Sequence, residues 1–279
     1  MITIRHKQTR DVLLEYPGDT LAGCSLIHAV LLGADLRNAD LGGANLRWAD
    51  LCQADLRGAV LDGAILEGAD LTLANLAGAS FVSARMCDAR LQAVTLEERG
   101  PARTNFQGAD LTRVNLKNSN LSEASFRDAE MRRIDLTHVN LTGADLSGAN
   151  LTEANFSYSD LRDANLSYAM LLDALFTAVD LRGAALRHSD LTFAVLNGVL
   201  LSGGDLTRAH LSHTVFARCR DLHEARGLDL LEHLHPSSVD LETVRHSLWQ
   251  ASDQVLKEFG SEPAAADVIR RSGSAVGQP

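Results

Sequence analysis

The chain has 279 residues and a formal net charge of −10, and its 46% hydrophobic content includes only 5% aromatic residues. The acidic balance excludes a nucleic-acid-binding surface and adhesion to anionic lipid; no apolar run reaches the length of a membrane span; and a core built of Leu and Ala rather than rings is unlike that of an irregular globular domain. Cys24, Cys52, Cys87 and Cys219 lie too far apart for a disulfide framework or a metal site, and with no apolar leader in the first 18 residues they read as free thiols of a cytoplasmic protein.

In chain order, residues 1–20 form the first element. Ile2-Thr3-Ile4 and Val12-Leu13-Leu14 read as short strands before a turn at Tyr16-Pro17-Gly18-Asp19, a cover for whatever sheet edge follows.

From Leu21 a five-residue period begins. Leu21, Leu26, Leu31, Leu36 and Leu41 open a register that runs to Phe216 without insertion or deletion, giving 40 central positions, all Leu, Phe or Met except Pro101. Two residues before each centre stands a small residue, as in Ala34, Ala39, Ala44, Ala49 and Ala54, and directly before it Asp or Asn at most sites, as in Asp35, Asp40 and Asn45. A period of five suits neither a helix at 3.6 nor a strand at 2. It suits a coil in which the large centre and the small residue point inward while the other three face solvent.

This Ala-(Asp/Asn)-Leu-x-x unit over residues 21–216 resembles the pentapeptide-repeat family. The resemblance implies an all-β solenoid, a right-handed quadrilateral β-helix with four pentapeptides to a coil. Forty units then make about ten coils, a rod of roughly 45–50 Å at strand spacing. Residues twenty apart should stack, which places Phe126 on Phe106 with Met86 beneath, and Phe176 on Phe156.

One segment breaks the pattern. Arg99 falls on a small inward site and Pro101 on a central one, so residues 97–103, with Glu97, Glu98, Arg99, Pro101 and Arg103, read as a surface loop replacing one pentapeptide and as a candidate recognition loop. A second departure lies near the C-terminal end of the repeats. There the outward position before the centre carries Met170, Leu175, Val195, Leu200 and Val215 instead of polar residues. Such an apolar stripe is a candidate dimer contact unless the chain's own C-terminus covers it, and the family resemblance also implies dimers formed through the C-terminal coils.

After Phe216 the period stops. Leu222, Leu228, Leu230, Leu231 and Leu234 predict a helix over Asp221–His235, ended by Pro236. Ser237-Ser238 offers an N-cap for a second helix over about Val239–Phe259. The resulting helical cap spans 217–260, and the Ala/Gly/Ser-rich tail at 261–279 reads as flexible.

No motif for catalysis, phosphate cradling or cofactor binding is present, and neither His210 with His213 nor His233 with His235 has an evident third ligand. The expectation is a non-enzymatic, cofactor-free and metal-free protein that binds a protein partner and touches neither nucleic acid nor membrane. Within the family, the quinolone-resistance branch implies a second possibility: an acidic rod that mimics DNA, binds DNA gyrase and protects it from a drug or toxin. Duplex DNA over the rod's length carries close to thirty charges, at about one per 1.7 Å. Residues 20–216 hold 23 acidic and 16 basic side chains, a net of −7. Counting by twenties assembles one better face, Asp50, Asp70, Asp110, Glu130 and Asp190 with Arg90 between them, a candidate partner-binding surface.

Overall fold

In the computed structural model the described residues are 1–96, 103–233, 237–240 and 243. Each pentapeptide makes one side of a four-sided coil. The centre is buried, the small residue two before it is buried, and the chain then turns a corner. At the corner the amide of the next small residue donates to the centre's carbonyl, as Ala39 N does to Leu36 O at 3.1 Å. The second residue after the centre has positive φ, +55° at Asn38 and +67° at Gly143. That combination is a type II turn. It explains why Gly recurs at this position and why Asn and Asp are common substitutes.

Successive coils pair in parallel. The residue before each centre bridges its equivalent twenty positions on, as Asp50 does Asp70 and Asp35 does Asp55. Four ladders result. Numbered from the first coil, face one runs through Asn45, face two through Asp50, face three through Asp55 and face four through Val60. Bonds such as Leu31 N to Asp50 O (2.7 Å) and Asp50 N to Ala29 O (2.9 Å) satisfy the backbone between coils. Inside, one hydrophobic core runs from Ile4 to Leu228.

The break changes the register. Ser80 pairs with Asn105, Arg85 with Asp110 and Arg90 with Asn115, each 25 apart, whereas Val60–Ser80 below and Asn105–Ser125 above are 20 apart. Five extra residues therefore fall between face three, which ends here at the described Thr95–Leu96, and face four, which resumes at Asn105. Beside this point, the buried Thr104 hydroxyl donates to Leu76 O (2.8 Å). The Ser119 hydroxyl donates to Leu91 O (2.9 Å) and accepts from Val94 N (3.2 Å). The ring stack predicted across this point is corrected accordingly. Phe81, not Met86, lies under Phe106 (centroids 4.9 Å, 9°), while Phe106–Phe126 (5.0 Å) and Phe156–Phe176 (4.8 Å) stack at twenty.

At the N-terminal end β1 (Ile2–Arg5) and β2 (Val12–Tyr16) form an antiparallel hairpin. It lies on the first coil, with Asp35 N donating to Arg5 O (2.8 Å), Lys7 N to Gly33 O (2.8 Å), and Ile4 buried.

Face two carries longer strands near the other end: β3 (Leu175–Thr177), β4 (Val195–Asn197) and β6 (Val215–Ala217), with β5 (His210–Leu211) on face one. Following each of the three-residue strands, the small inward site holds Val179, Val199 or Cys219 rather than Ala, and the chain stays extended one residue further.

The helix predicted over Asp221–His235 is corrected by the structure. Leu200 pairs with Arg220, Asp205 with Arg226, His210 with Glu232, and Val215 with Ser238. The coil thus continues with six-residue sides. Single 3-10 turns at Leu222–Glu224 and Leu228–Leu230 take up the extra residue, and β7 (Glu232–His233) and β8 (Ser238–Val239) extend the ladders. The physical reason is the open edge. Amides and carbonyls of the coil beneath need partners, and strands supply them, as Glu232 N does to Ala209 O and Ser238 N to Thr214 O (3.0 and 2.9 Å). Leu222 and Leu228, six apart, point inward, while Leu230 is exposed. Of the second predicted helix, Val239 lies in β8 and Thr243 is buried, its hydroxyl accepting from Cys219 N at 2.9 Å. The rest of that segment and the 261–279 tail lie outside the described residues.

Candidate binding surfaces

The 25-residue step redistributes the predicted acidic face. Asp50 and Asp70 stand on face two, followed there by Arg90, Asn115, Asp135 and Asn155. Asp110, Glu130 and Asp190 stand on face one, preceded by Arg85 and interrupted by Asn150 and Met170. The five carboxylates therefore do not form one column. Asp50, Asp110 and Asp190 each accept from the amide two residues on (Cys52, Thr112 and Thr192, all at 3.0 Å), bracing their own sides in the way Asx turns do. Asp70 has Arg90 at 3.6 Å, and Glu130 accepts from Asn150 Nδ2 at 2.9 Å.

A charged arrangement that counting along the repeat did not single out occupies face three. Arg37 reaches back to Asp35 (2.7 Å) and up to Asp55 (3.7 Å), and Arg57 pairs with Asp55 (2.7 Å). Higher on the same face Arg162 pairs with Asp160 (2.6 Å) and approaches Asp180 (3.8 Å), and Arg182 pairs with Asp180 (2.6 Å). The sequence signal is Asp-Leu-Arg recurring twenty apart, at Asp35-Leu36-Arg37 and Asp55-Leu56-Arg57, then again from Asp160 and Asp180. Hydrogen bonds from Arg37 lower the Asp35 carboxyl to about 2. Arg162 and Arg182 lower Asp160 and Asp180 likewise. At Asp55 burial pulls the carboxyl upward, but the Arg57 bonds outweigh it and the net direction is down.

Because these folded-state values lie below the unfolded value of about 3.9, the ladders stabilise the fold at neutral pH. That contribution is lost as pH falls through the folded values, near 2 for Asp35. Circular dichroism during acid titration should therefore show loss of structure setting in below about pH 4, and Arg37→Gln should move its onset upward.

The apolar stripe is continuous on one face. Leu175, Val195 and Val215 occupy consecutive rungs of β3, β4 and β6, with Met170 on face one and Leu200 on face three beside them. Met170 (42%) and Leu175 (37%) are exposed, and the other three are half-buried. Rings at the corners add to the exposed surface. Phe193 stacks on His213, Tyr168 on His188 and Tyr158 on His138, at 4.8–5.0 Å.

Of the predicted loop, Arg103 forms an exposed ion pair with Glu123 at 2.8 Å. Glu97, Glu98, Arg99 and Pro101 lie outside the described residues. Among the described residues no group of three His, Cys, Asp or Glu side chains could hold a metal ion, and no helix is long and apolar enough to cross a membrane. His210 lies on face one, while the His213 ring lies at a corner against Phe193.

The profile of pentapeptide repeats matches this chain in eight copies, over 21–58, 54–92, 102–137, 129–167, 174–212 and 189–226. The chain belongs to the pentapeptide-repeat family. The matches leave out 93–101, at the change of register, and 168–173, and end at 226, within the six-residue coil. Among solved structures it is similar to HetL, a pentapeptide-repeat protein involved in heterocyst differentiation regulation from the cyanobacterium Nostoc sp. strain PCC 7120. Identity is 33%, over 73% of this chain and 89% of HetL, with a TM-score of 0.39. It is also similar to QnrB1, a plasmid-mediated fluoroquinolone resistance protein, at 21% identity over 66% of this chain and 85% of QnrB1, TM-score 0.45. A pentapeptide-repeat protein of the Arabidopsis thaliana thylakoid lumen matches at 25% identity over 48% of this chain and 66% of its own, TM-score 0.20. No curated protein matches at a significant level.

Proposed function

We propose that the chain is a non-enzymatic binding protein that works through the outer surface of its solenoid and self-associates through the apolar stripe of its C-terminal coils. The observation that carries this reading is the unbroken register of Leu175, Val195 and Val215, three apolar side chains on outward rungs where the same column holds Asp50, Asp70, Asp135 and Asn155 lower down. A single apolar residue at an outward position is ordinary, as Val30 is on this same face at 68% exposure, but three on consecutive rungs make a contiguous patch of the kind that marks a contact surface. Met170 and Leu200 widen the strip onto both neighbouring faces, which suits a flat contact with a second copy of the same rod.

Sedimentation of the full chain tests this. A dimer is expected, and Leu175→Glu combined with Val195→Glu should convert it to a monomer without loss of the β signal. A dimer that survives both charges would assign self-association elsewhere.

The DNA-mimicking, gyrase-protecting alternative came from the resemblance to the quinolone-resistance branch, and its support on this chain was one acidic column. Those five carboxylates are divided between two faces, and the Asp residues of face three are closed by Arg side chains. No observation on this chain now favours that alternative over a protein partner of other chemistry.

A further inference from the structure

Face two is apolar at both of its ends. At the C-terminal end stands the stripe of Leu175, Val195 and Val215. At the other end Val30 opens the column below Asp50, with Ile27 and Leu32 to either side of it along the first coil. Trp48 stands at the adjoining corner, one coil above His28. All four of these apolar side chains are exposed, Trp48 to 57%, and the Trp48 ring occupies the space that a side chain at Gly68 would take. Val30 alone would be ordinary, but four large apolar side chains within two coils make a second patch. Seven rungs separate Val30 from Leu175, roughly 34 Å at strand spacing.

Between the patches the column reads Asp50, Asp70, Arg90, Asn115, Asp135 and Asn155. Charge decides how two copies can lay this face together. With the rods parallel, each rung meets its own copy, so Asp50, Asp70, Arg90 and Asp135 all face like charge, which is unfavourable. With the rods antiparallel the order reverses. Setting Val30 against Val195 then brings Asp70 to Asn155, Arg90 to Asp135, and Asn115 to its own copy on the two-fold axis.

The central charges have capacity for a further partner. Arg90, with its side chain 70% exposed, stands 3.6 Å from Asp70. Asp135 uses Oδ1 for Thr137 and leaves Oδ2 to the Lys117 ammonium at 3.5 Å. The neighbouring corner pairs are tighter, Arg113–Asp88 at 2.6 Å and Arg133–Glu153 at 2.8 Å. Asp50, which meets Leu175 in this register, already accepts from the Cys52 amide at 3.0 Å.

We infer that two copies pack antiparallel along face two, the C-terminal stripe of each covering the N-terminal patch of the other. This rests on the self-association proposed above and specifies what the stripe lies against. Such an interface is isologous and closes on itself, leaving neither apolar end free to recruit a third copy.

Sedimentation and cross-linking of the full chain test it. Val30→Glu with Trp48→Glu, which leaves the stripe untouched, should convert the dimer to a monomer while circular dichroism keeps its β signal. Cross-linking uses a background with Cys52 and Cys87 replaced by Ser, Cys24 and Cys219 being buried. There a bismaleimide spanning about 10 Å, the separation of packed sheet faces, should join two copies through Asn115→Cys and not through Asn155→Cys. A dimer that survives the charges at Val30 and Trp48 but not those at Leu175 and Val195 would overturn this arrangement and leave the stripe reading intact. A parent chain that sediments as a monomer would overturn both. Linking through both cysteines would mean parallel rods, and linking through neither an overlap of the C-terminal coils alone; each contradicts the inference.

Discussion

Phe106→Ala should cost about 3–5 kcal/mol, the upper range for removing a buried ring. Phe106 is fully buried and stacked on both sides, by Phe81 at 4.9 Å and Phe126 at 5.0 Å, so truncation empties the middle of a three-ring column. The Leu centres are smaller, even where they border a ring as Leu196 does between Phe176 and Phe216, and truncating one of them should cost about 2–5 kcal/mol. A solenoid transmits damage mainly to adjacent repeats. Hydrogen exchange should therefore show the loss of protection centred on the coils that contain Phe81, Phe106 and Phe126. Chemical denaturation of the variant measures its size, and a loss under about 1 kcal/mol would mean that the ring column does not form.

Ala144→Asp should destabilise by several kcal/mol, because it places a carboxylate at a fully buried inward site without a partner charge. The informative control is Ala144→Ser, expected within about 1 kcal/mol of the parent. At this same repeat position Ser119, Ser159 and Thr214 are buried and donate their hydroxyls to the carbonyls of Leu91, Leu136 and Leu191. A small hydroxyl is thus compatible with the core, whereas a charge is not. Burial raises the Asp carboxyl in the folded state, so the penalty should shrink as pH falls and the group takes up its proton. Thermal melts of the three proteins at neutral and acid pH would check both the order and its pH dependence.

Most of the coil is legible along the chain, because one period decides which side chains are inside. Leu36, Leu41 and Leu46 are centres, Ala34, Ala39 and Ala44 are small inward residues, and all are buried or nearly so. What the period does not encode is whether a given pentapeptide stays in the coil. Residues on both sides of Pro101 keep the same phase modulo five, so a unit inside the wall and a unit looped out leave identical spacing. The difference appears only between coils, where Asp110 belongs under Glu130 on the face of Arg85 rather than on that of Arg90. For the acidic surface this difference decides everything, since it places Asp110, Glu130 and Asp190 a face away from Asp50 and Asp70. A clue does exist in the rings: Phe81, Phe106 and Phe126 make one column only if the first step is 25.

The C-terminal error has a similar origin. Leu222, Leu228 and Leu234 repeat at six, and together with Leu230 and Leu231 they also satisfy a helical pattern. Periodicity alone does not choose between the two. The unpaired edge of the coil below does, by requiring strands at Glu232–His233 and Ser238–Val239. The Asp-Leu-Arg ladders were visible in the letters, but their meaning depends on stacking at twenty, which turns isolated surface pairs, weak on their own, into a network on face three.

The most direct test of the register is disulfide trapping across the break, in a background with Cys52 and Cys87 replaced by Ser. Neighbouring rungs of a parallel ladder stand about 4.8 Å apart, inside the range of Cα separations that a disulfide spans. Arg90→Cys with Asn115→Cys should therefore cross-link readily under mild oxidation, whereas Arg90→Cys with Asp110→Cys, on different faces, should stay reduced. Cross-linking of the 90–110 pair in place of the 90–115 pair would restore a twenty-residue step across this point, and would contradict the separation of the acidic side chains onto two faces.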